Sequence, residues 1–111
     1  MQRTEAVKGL EALRTKLSER TKDTAAFVYF VGDRDSETQI SWCPDCAASD
    51  PVIEDAVKSA KPKATATFIT CEVGDKLFWK DETNDFRTSE DLKLTSIPTL
   101  LRFGTVGASS D

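Results

Sequence analysis

The sequence predicts an α/β domain with a mixed, mainly parallel central sheet flanked by helices. Segments of helical periodicity alternate with strand-length runs rich in β-branched and aromatic residues, the order that a sheet with crossover helices requires. In addition, Trp42-Cys43-Pro44-Asp45-Cys46 follows a strand and a loop and stands at the mouth of a helix. With 111 residues, 39% of them hydrophobic, the chain supports one domain over residues 1–111 with a modest single core.

The elements follow in order. Val7, Leu10, Leu13 and Leu17 recur at three- and four-residue spacing, an amphipathic helix signal. Gly9 sits poorly inside a helix, so the helix is placed from Gly9 or Leu10 to before Asp23, with a short edge strand over residues 5–7. Residues 25–31 form a continuous apolar run suited to a strand buried on both faces. Residues 32–41 are polar and charged, a surface loop leading to the cysteines. Residues 44–60 read as a helix with Val52, Ile53, Ala56, Val57 and Ala60 as its inner stripe, kinked at Pro51 and closed by Lys61-Pro62-Lys63. Residues 65–73 alternate and are rich in Thr, Phe, Ile and Val, a second central strand. Residues 74–88 are loop plus a short helix extending towards Leu94, and residues 97–103 are a last strand entered through Pro98.

The chemistry lies in the pentad. Cys43 and Cys46 are one helical turn apart, close enough to bond with little backbone movement. A helix N-terminus presents free N–H groups and a positive dipole end to the first sulfur, which favours the nucleophilic thiolate. Cys43 is accordingly the nucleophile, expected to be exposed, and Cys46 the resolving thiol one turn deeper. Pro44 suits the first helical turn. Asp45 is favourable beside the dipole but opposes thiolate formation next door. Trp42 is expected to wall the site, and Cys71, mid-strand, to be a buried inert thiol.

Other function classes fall away. The chain has no histidine, which removes histidine-dependent nucleophilic catalysis and histidine metal sites, and three cysteines cannot close a four-cysteine zinc site. A net charge of −4 with both signs mixed leaves no basic stripe for nucleic acid. Residues 1–17 lack the apolar core of a signal peptide and no run is long enough to span a membrane, so no membrane role is expected. Three cysteines without a secretory signal fit a reducing compartment, the cytoplasm by default.

Strand, Trp-Cys-x-x-Cys, Pro-containing helix, strand, then Ile97-Pro98-Thr99-Leu100 resembles the thioredoxin superfamily. The blocks Ser41 to Cys46, Val73-Gly74-Asp75-Lys76, Trp79-Lys80-Asp81, Asn84-Asp85-Phe86-Arg87 and Ile97-Pro98-Thr99-Leu100-Leu101 are most similar to the family of the fourteen-kilodalton thioredoxin-related protein. The resemblance implies a thioredoxin-like fold in which Pro98 is a cis-proline facing the sulfurs and, with Ile97, shapes the substrate groove, bordered by residues 79–87. It implies a cytosolic disulfide reductase with no bound cofactor, recharged by NADPH through thioredoxin reductase. Its substrates would be small disulfides such as cystine and oxidised or nitrosylated protein thiols. Two departures stand out. Tyr29 occupies the place of thioredoxin's buried aspartate, leaving Asp45 as the nearest substitute by sequence. Residues 105–111 are too few and too polar for the family's final strand and helix, so the domain is expected to be C-terminally short with an exposed edge at residues 97–103.

Two rival functions are a non-catalytic binding module gated by the redox state of the pair, and a carrier of a soft monovalent ion such as Cu(I). The Trp before the pair, the Pro within it and Ile97-Pro98 fit an oxidoreductase better than a carrier.

Overall fold

The computed structural model describes residues 3–19, 25–59, 66–90 and 92–103. Its elements are β1 (Arg3–Lys8), α1 (Leu10–Ser18), β2 (Ala25–Val31), α2 (Pro44–Ser59), β3 (Ala66–Glu72), α3 (Lys76–Lys80), α4 (Asp85–Thr88) and β4 (Thr99–Phe103). The strands form one sheet in the order β1-β3-β2-β4, with β3 parallel to both β1 and β2 and β4 antiparallel to β2. The α/β, mainly parallel architecture is the expected one. The closing Lys61-Pro62-Lys63 and residues 105–111, where a short C-terminus was expected, lie outside the described residues.

The edge strand is longer than residues 5–7, and the turn into α1 explains where it stops. Gly9 has φ +89°, a left-handed conformation that glycine adopts without steric cost. Its N–H donates to the Glu72 carbonyl at 3.0 Å, and its carbonyl accepts the Leu13 N–H. The β1 to β2 and β2 to β3 crossovers run in opposite directions across the sheet. Right-handed connections therefore put α1 and α2 on opposite faces.

One face carries Ala26, Val28 and Phe30 of β2, in register with Thr67, Ile69 and Cys71 of β3, all buried. Phe30 meets Phe86 of α4 edge-on, ring centroids 6.0 Å apart, and Leu13, Trp79, Leu92 and Leu94 complete the cluster. The other face carries Phe27 and Tyr29 opposite Phe68 and Thr70, and there α2 lies. Its inward side is Cys46, Ser49, Asp50, Ile53 and Val57, whereas Val52 is 65% exposed and Ala56 is also exposed. The expected inner stripe was thus right for Ile53 and Val57 and wrong for Val52 and Ala56, while Ala60 lies outside the described residues. Once Cys46 points inward, 100° per residue carries positions 53 and 57 to the sheet and swings 52 and 56 away. The helix runs unbroken through Pro51.

Residues 74–94 hold two capped single turns rather than one short helix. Asp75 caps α3 by accepting the Phe78 N–H at 2.9 Å. Asn84 caps α4 by accepting from Phe86 and Arg87, while its amide nitrogen reaches the carbonyls of Phe78, Trp79 and Asp81. One buried asparagine therefore ties both turns together.

Candidate active site

The site is assembled where β2, the loop after it, the start of α2 and the entry to β4 converge. Cys43 immediately precedes the first helical residue, Pro44, whose missing N–H costs nothing at that position. The Cys46 N–H points back at Cys43 Sγ across 3.4 Å. This is a free helix-terminal donor aimed at the sulfur, a contact that strengthens when the sulfur is a thiolate. On its other side Cys43 Sγ lies 4.0 Å from the Ile97 carbonyl, and the Ile97–Pro98 peptide is cis, as the resemblance implied.

Both cysteines of the pair are unbonded thiols, and their depths differ. Cys46 is fully buried and Cys43 is 7% exposed. Cys43 is thus less open than expected, because its sulfur faces the buried Ile97 instead of projecting from the loop. Burial, followed by the neighbouring Cys43 thiol, pushes the Cys46 thiol up to about 12; the Gly32 backbone and the Ser41 hydroxyl act in the opposite direction.

Trp42 is half-buried and packs against the segment that follows β2. Its indole Nε1–H donates to the Gly74 carbonyl at 2.9 Å, and its ring lies so close over Gly32 that a β-carbon there would be 2.6 Å from Cε2. Phe78 in turn packs on Gly74, which joins α3 to the same contact. Within residues 79–87, Trp79 and Phe86 are buried in the core, and the Arg87 guanidinium stacks 4.2 Å above the Trp79 ring. The exposed apolar side chains of this region are Leu77 and Phe78.

Asp45 does not stand in for the missing aspartate. It is exposed on the first turn of α2, whereas the Cys46 sulfur is fully buried. The Tyr29 hydroxyl is committed elsewhere, bonded to Ser49 Oγ and donating to Asp50 Oδ1 at 2.8 Å, with Asp50 held by Arg34 at 2.9 Å. Sequence inspection missed Ser41. It is 5% exposed, donates from Oγ to the Gly32 carbonyl at 2.8 Å and accepts the Cys43 N–H at 3.1 Å. A serine two residues before a helix-capping cysteine was the available signal. Cys71, expected to be inert, is buried with its thiol raised to about 12, first by desolvation, and its Sγ is 3.9 Å from the Gly9 carbonyl. Among the described residues no group of three or more Cys, Asp and Glu side chains is placed to hold a metal ion, and no helix is long and apolar enough to cross a membrane.

A thiol at the N-terminus of α2 and a deeper one on its first turn, with a cis-proline at the strand entry beside the shallower one, place the molecule among the thioredoxin-like domains. The domain described as "Thioredoxin domain-containing protein 17-like, thioredoxin domain" matches residues 6–109, and the chain belongs to that family. Over 100 residues it is 47% identical to Thioredoxin domain-containing protein 17 of Danio rerio, 44% to that of Mus musculus and 40% to that of Homo sapiens. Each alignment covers 90% of this chain and 76% of the relative. Membership supports a thioredoxin-like redox role for the Cys43–Cys46 pair.

Proposed function

We propose that the protein is a cytosolic dithiol–disulfide reductase acting on small disulfides, cystine among them, and on oxidised or nitrosylated protein thiols. The observation that carries this reading is the Cys46 N–H directed at Cys43 Sγ across 3.4 Å at the start of α2, with the Cys46 thiol fully buried one turn on. Such a donor stabilises a thiolate at Cys43, and burial keeps Cys46 protonated until a mixed disulfide brings a sulfur electrophile to it. Cys43 thiolate attacks the substrate disulfide R–S–S–R, forming Cys43–S–S–R and releasing the first thiol. Cys46 then attacks Cys43 Sγ, the bond between Cys43 Sγ and the substrate sulfur breaks, and the second thiol leaves with the proton that Cys46 gave up. Two electrons have passed from the dithiol to the substrate. NADPH, through thioredoxin reductase, returns them without any cofactor bound to this chain. The 7% exposure of Cys43 supports a preference for small or extended substrates over large folded partners.

NADPH consumption in the presence of thioredoxin reductase tests the proposal, with cystine and insulin compared and Cys43→Ser as control. Cystine turnover that disappears in the variant, with slow insulin reduction, is the expected result. A folded chain that turns over neither substrate would instead be a redox-gated binding module.

A further inference from the structure

The resolving thiol of a dithiol reductase must lose its proton inside the protein, and among the described residues no carboxylate is placed to help Cys46. The groups that face it are the Cys43 thiol at the start of α2, the Tyr29 phenol on β2, and the Gly32 backbone and Ser41 hydroxyl from the segment after β2. Asp45 is exposed, and Asp50 is engaged by Tyr29 and Arg34. The Tyr29 phenol is itself held protonated, by burial first, and its hydrogen bonds run to Ser49 and Asp50. Ser41 is the buried neutral hydroxyl left at the pair. It is already fixed from two sides, by the Gly32 carbonyl at 2.8 Å and the Cys43 N–H at 3.1 Å.

We propose that Ser41 is a positioning residue of the dithiol, bonding the Cys43 amide and turning its O–H from the Gly32 carbonyl to Cys46 Sγ when that sulfur becomes a thiolate. While Cys46 is a thiol, the Ser41 O–H stays on the Gly32 carbonyl at 2.8 Å. When the proton leaves, the Ser41 O–H has a better acceptor in the sulfur, because a hydrogen bond to an ionised partner is about twice as strong as one between neutral groups. The net step is Cys46–SH plus Cys43–S–S–R giving Cys43–S–S–Cys46 plus R–SH. The proton ends on the departing thiol and Ser41 returns to Gly32. The Ser41 hydroxyl keeps its own proton throughout.

The proposal rests on the reductase reading, and one assay separates the two. The chain is loaded at Cys43 with 5-thio-2-nitrobenzoate as a mixed disulfide, and its release is followed by absorbance from pH 6 to pH 10, with Cys46→Ser as the unresolved control. Wild-type release that depends on Cys46 is expected; its absence overturns the reductase reading, and the role of Ser41 with it. Ser41→Ala should release about tenfold more slowly at neutral pH, the size expected for a lost bond to a charged group. Its pH profile should move up by about one unit. Because Ser41→Ala also leaves two backbone groups without their partner, the pair Ser41→Thr and Ser41→Val isolates the hydroxyl at constant shape. Threonine should retain the wild-type pH profile and valine should shift it like alanine. Cys46-dependent release in the wild type together with unchanged rate and profile in folded Ser41→Ala, or equal profiles for Thr and Val, overturns the assignment of Ser41 alone.

Discussion

Replacing Gly32 with alanine should be among the most damaging single-methyl changes in this chain. Gly32 ends the β2 edge of the site; its carbonyl accepts Ser41, and its α-carbon lies under the Trp42 indole. A methyl there would stand 2.6 Å from Cε2, 2.7 Å from Nε1 and 2.8 Å from Cζ2, against ordinary contacts of 3.4–4 Å. The indole cannot yield by rotating freely, because Nε1 is bonded to the Gly74 carbonyl at 2.9 Å. Overpacking of this kind costs about 1–3 kcal/mol, and losing the indole hydrogen bond adds about 0.5–1.5 kcal/mol. A total of about 2–4 kcal/mol corresponds to a Tm lower by roughly 8–15 °C in a domain of this size. Urea unfolding followed by circular dichroism measures the loss, and tryptophan emission reports the displaced ring. In a Trp42→Phe background the same substitution should cost at least about 1 kcal/mol less, since the clashing atoms and the N–H are both gone. A Gly32→Ala chain within about 0.5 kcal/mol of wild type, or full additivity with Trp42→Phe, would refute the packing argument.

Other expectations concern the anchors of the site. Asn84→Ala should lower stability by about 2–4 kcal/mol in urea melts, because it removes a helix cap and leaves buried backbone groups of both α3 and α4 unbonded; a loss below about 1 kcal/mol would mean the two turns stand independently. Asp50→Asn should cost about 1–3 kcal/mol by breaking the part-buried Arg34 pair and weakening the Tyr29 bond, and unfolding that matches wild type would remove this network from the account. Ile53→Ala should cost about 1–3 kcal/mol while Val52→Ser stays within about 0.5 kcal/mol; equal losses would contradict the orientation of α2. Burial raises the Cys46 and Cys71 thiols from 9.0 to about 12, so above pH 9 the unfolded chain binds fewer protons than the folded one. Their contribution to stability is complete below pH 9 and is lost as pH rises towards 12, by up to about 1.4 kcal/mol per pH unit for each thiol. Urea midpoints should fall between pH 8 and 10.5, more gently in Cys71→Ala, and parallel curves would show that Cys71 ionises freely.

The fold and the paired cysteines were legible because they rest on local, redundant signals. The run at residues 25–31 became β2 residue for residue, since a strand buried on both faces has no polar position to confuse it. The alternation before Val73 placed β3 with its Ile69 and Cys71 face inward. The orientation of α2 was not legible, because Val52 and Ala56 are as apolar as Ile53 and Val57 and only the tertiary anchor at Cys46 fixes the phase. A short helix was expected after Gly74, but its division into two turns was not legible for a similar reason: each is a single turn, too short for periodicity, and the capping signals Asp75 and Asn84 are common loop residues. The depth of Cys43 reflects the segment at Ile97, more than fifty residues away, which no local pattern around the cysteines reports. Ser41 looked like the end of a polar loop; its isolated bridge to Arg34 and its bond to Gly32 turn it into the site.

The central claim is that Cys43 and Cys46 form one reversible two-electron couple while Cys71 stands apart. The most direct test equilibrates the native chain with mixtures of cystine and cysteine, quenches with acid, alkylates the free thiols and maps all three cysteines by mass spectrometry. The account requires a Cys43–Cys46 disulfide that rises and falls with the ratio of the two, with Cys71 alkylated only after unfolding. A pair that stays reduced in excess cystine, or a disulfide that includes Cys71, would contradict it.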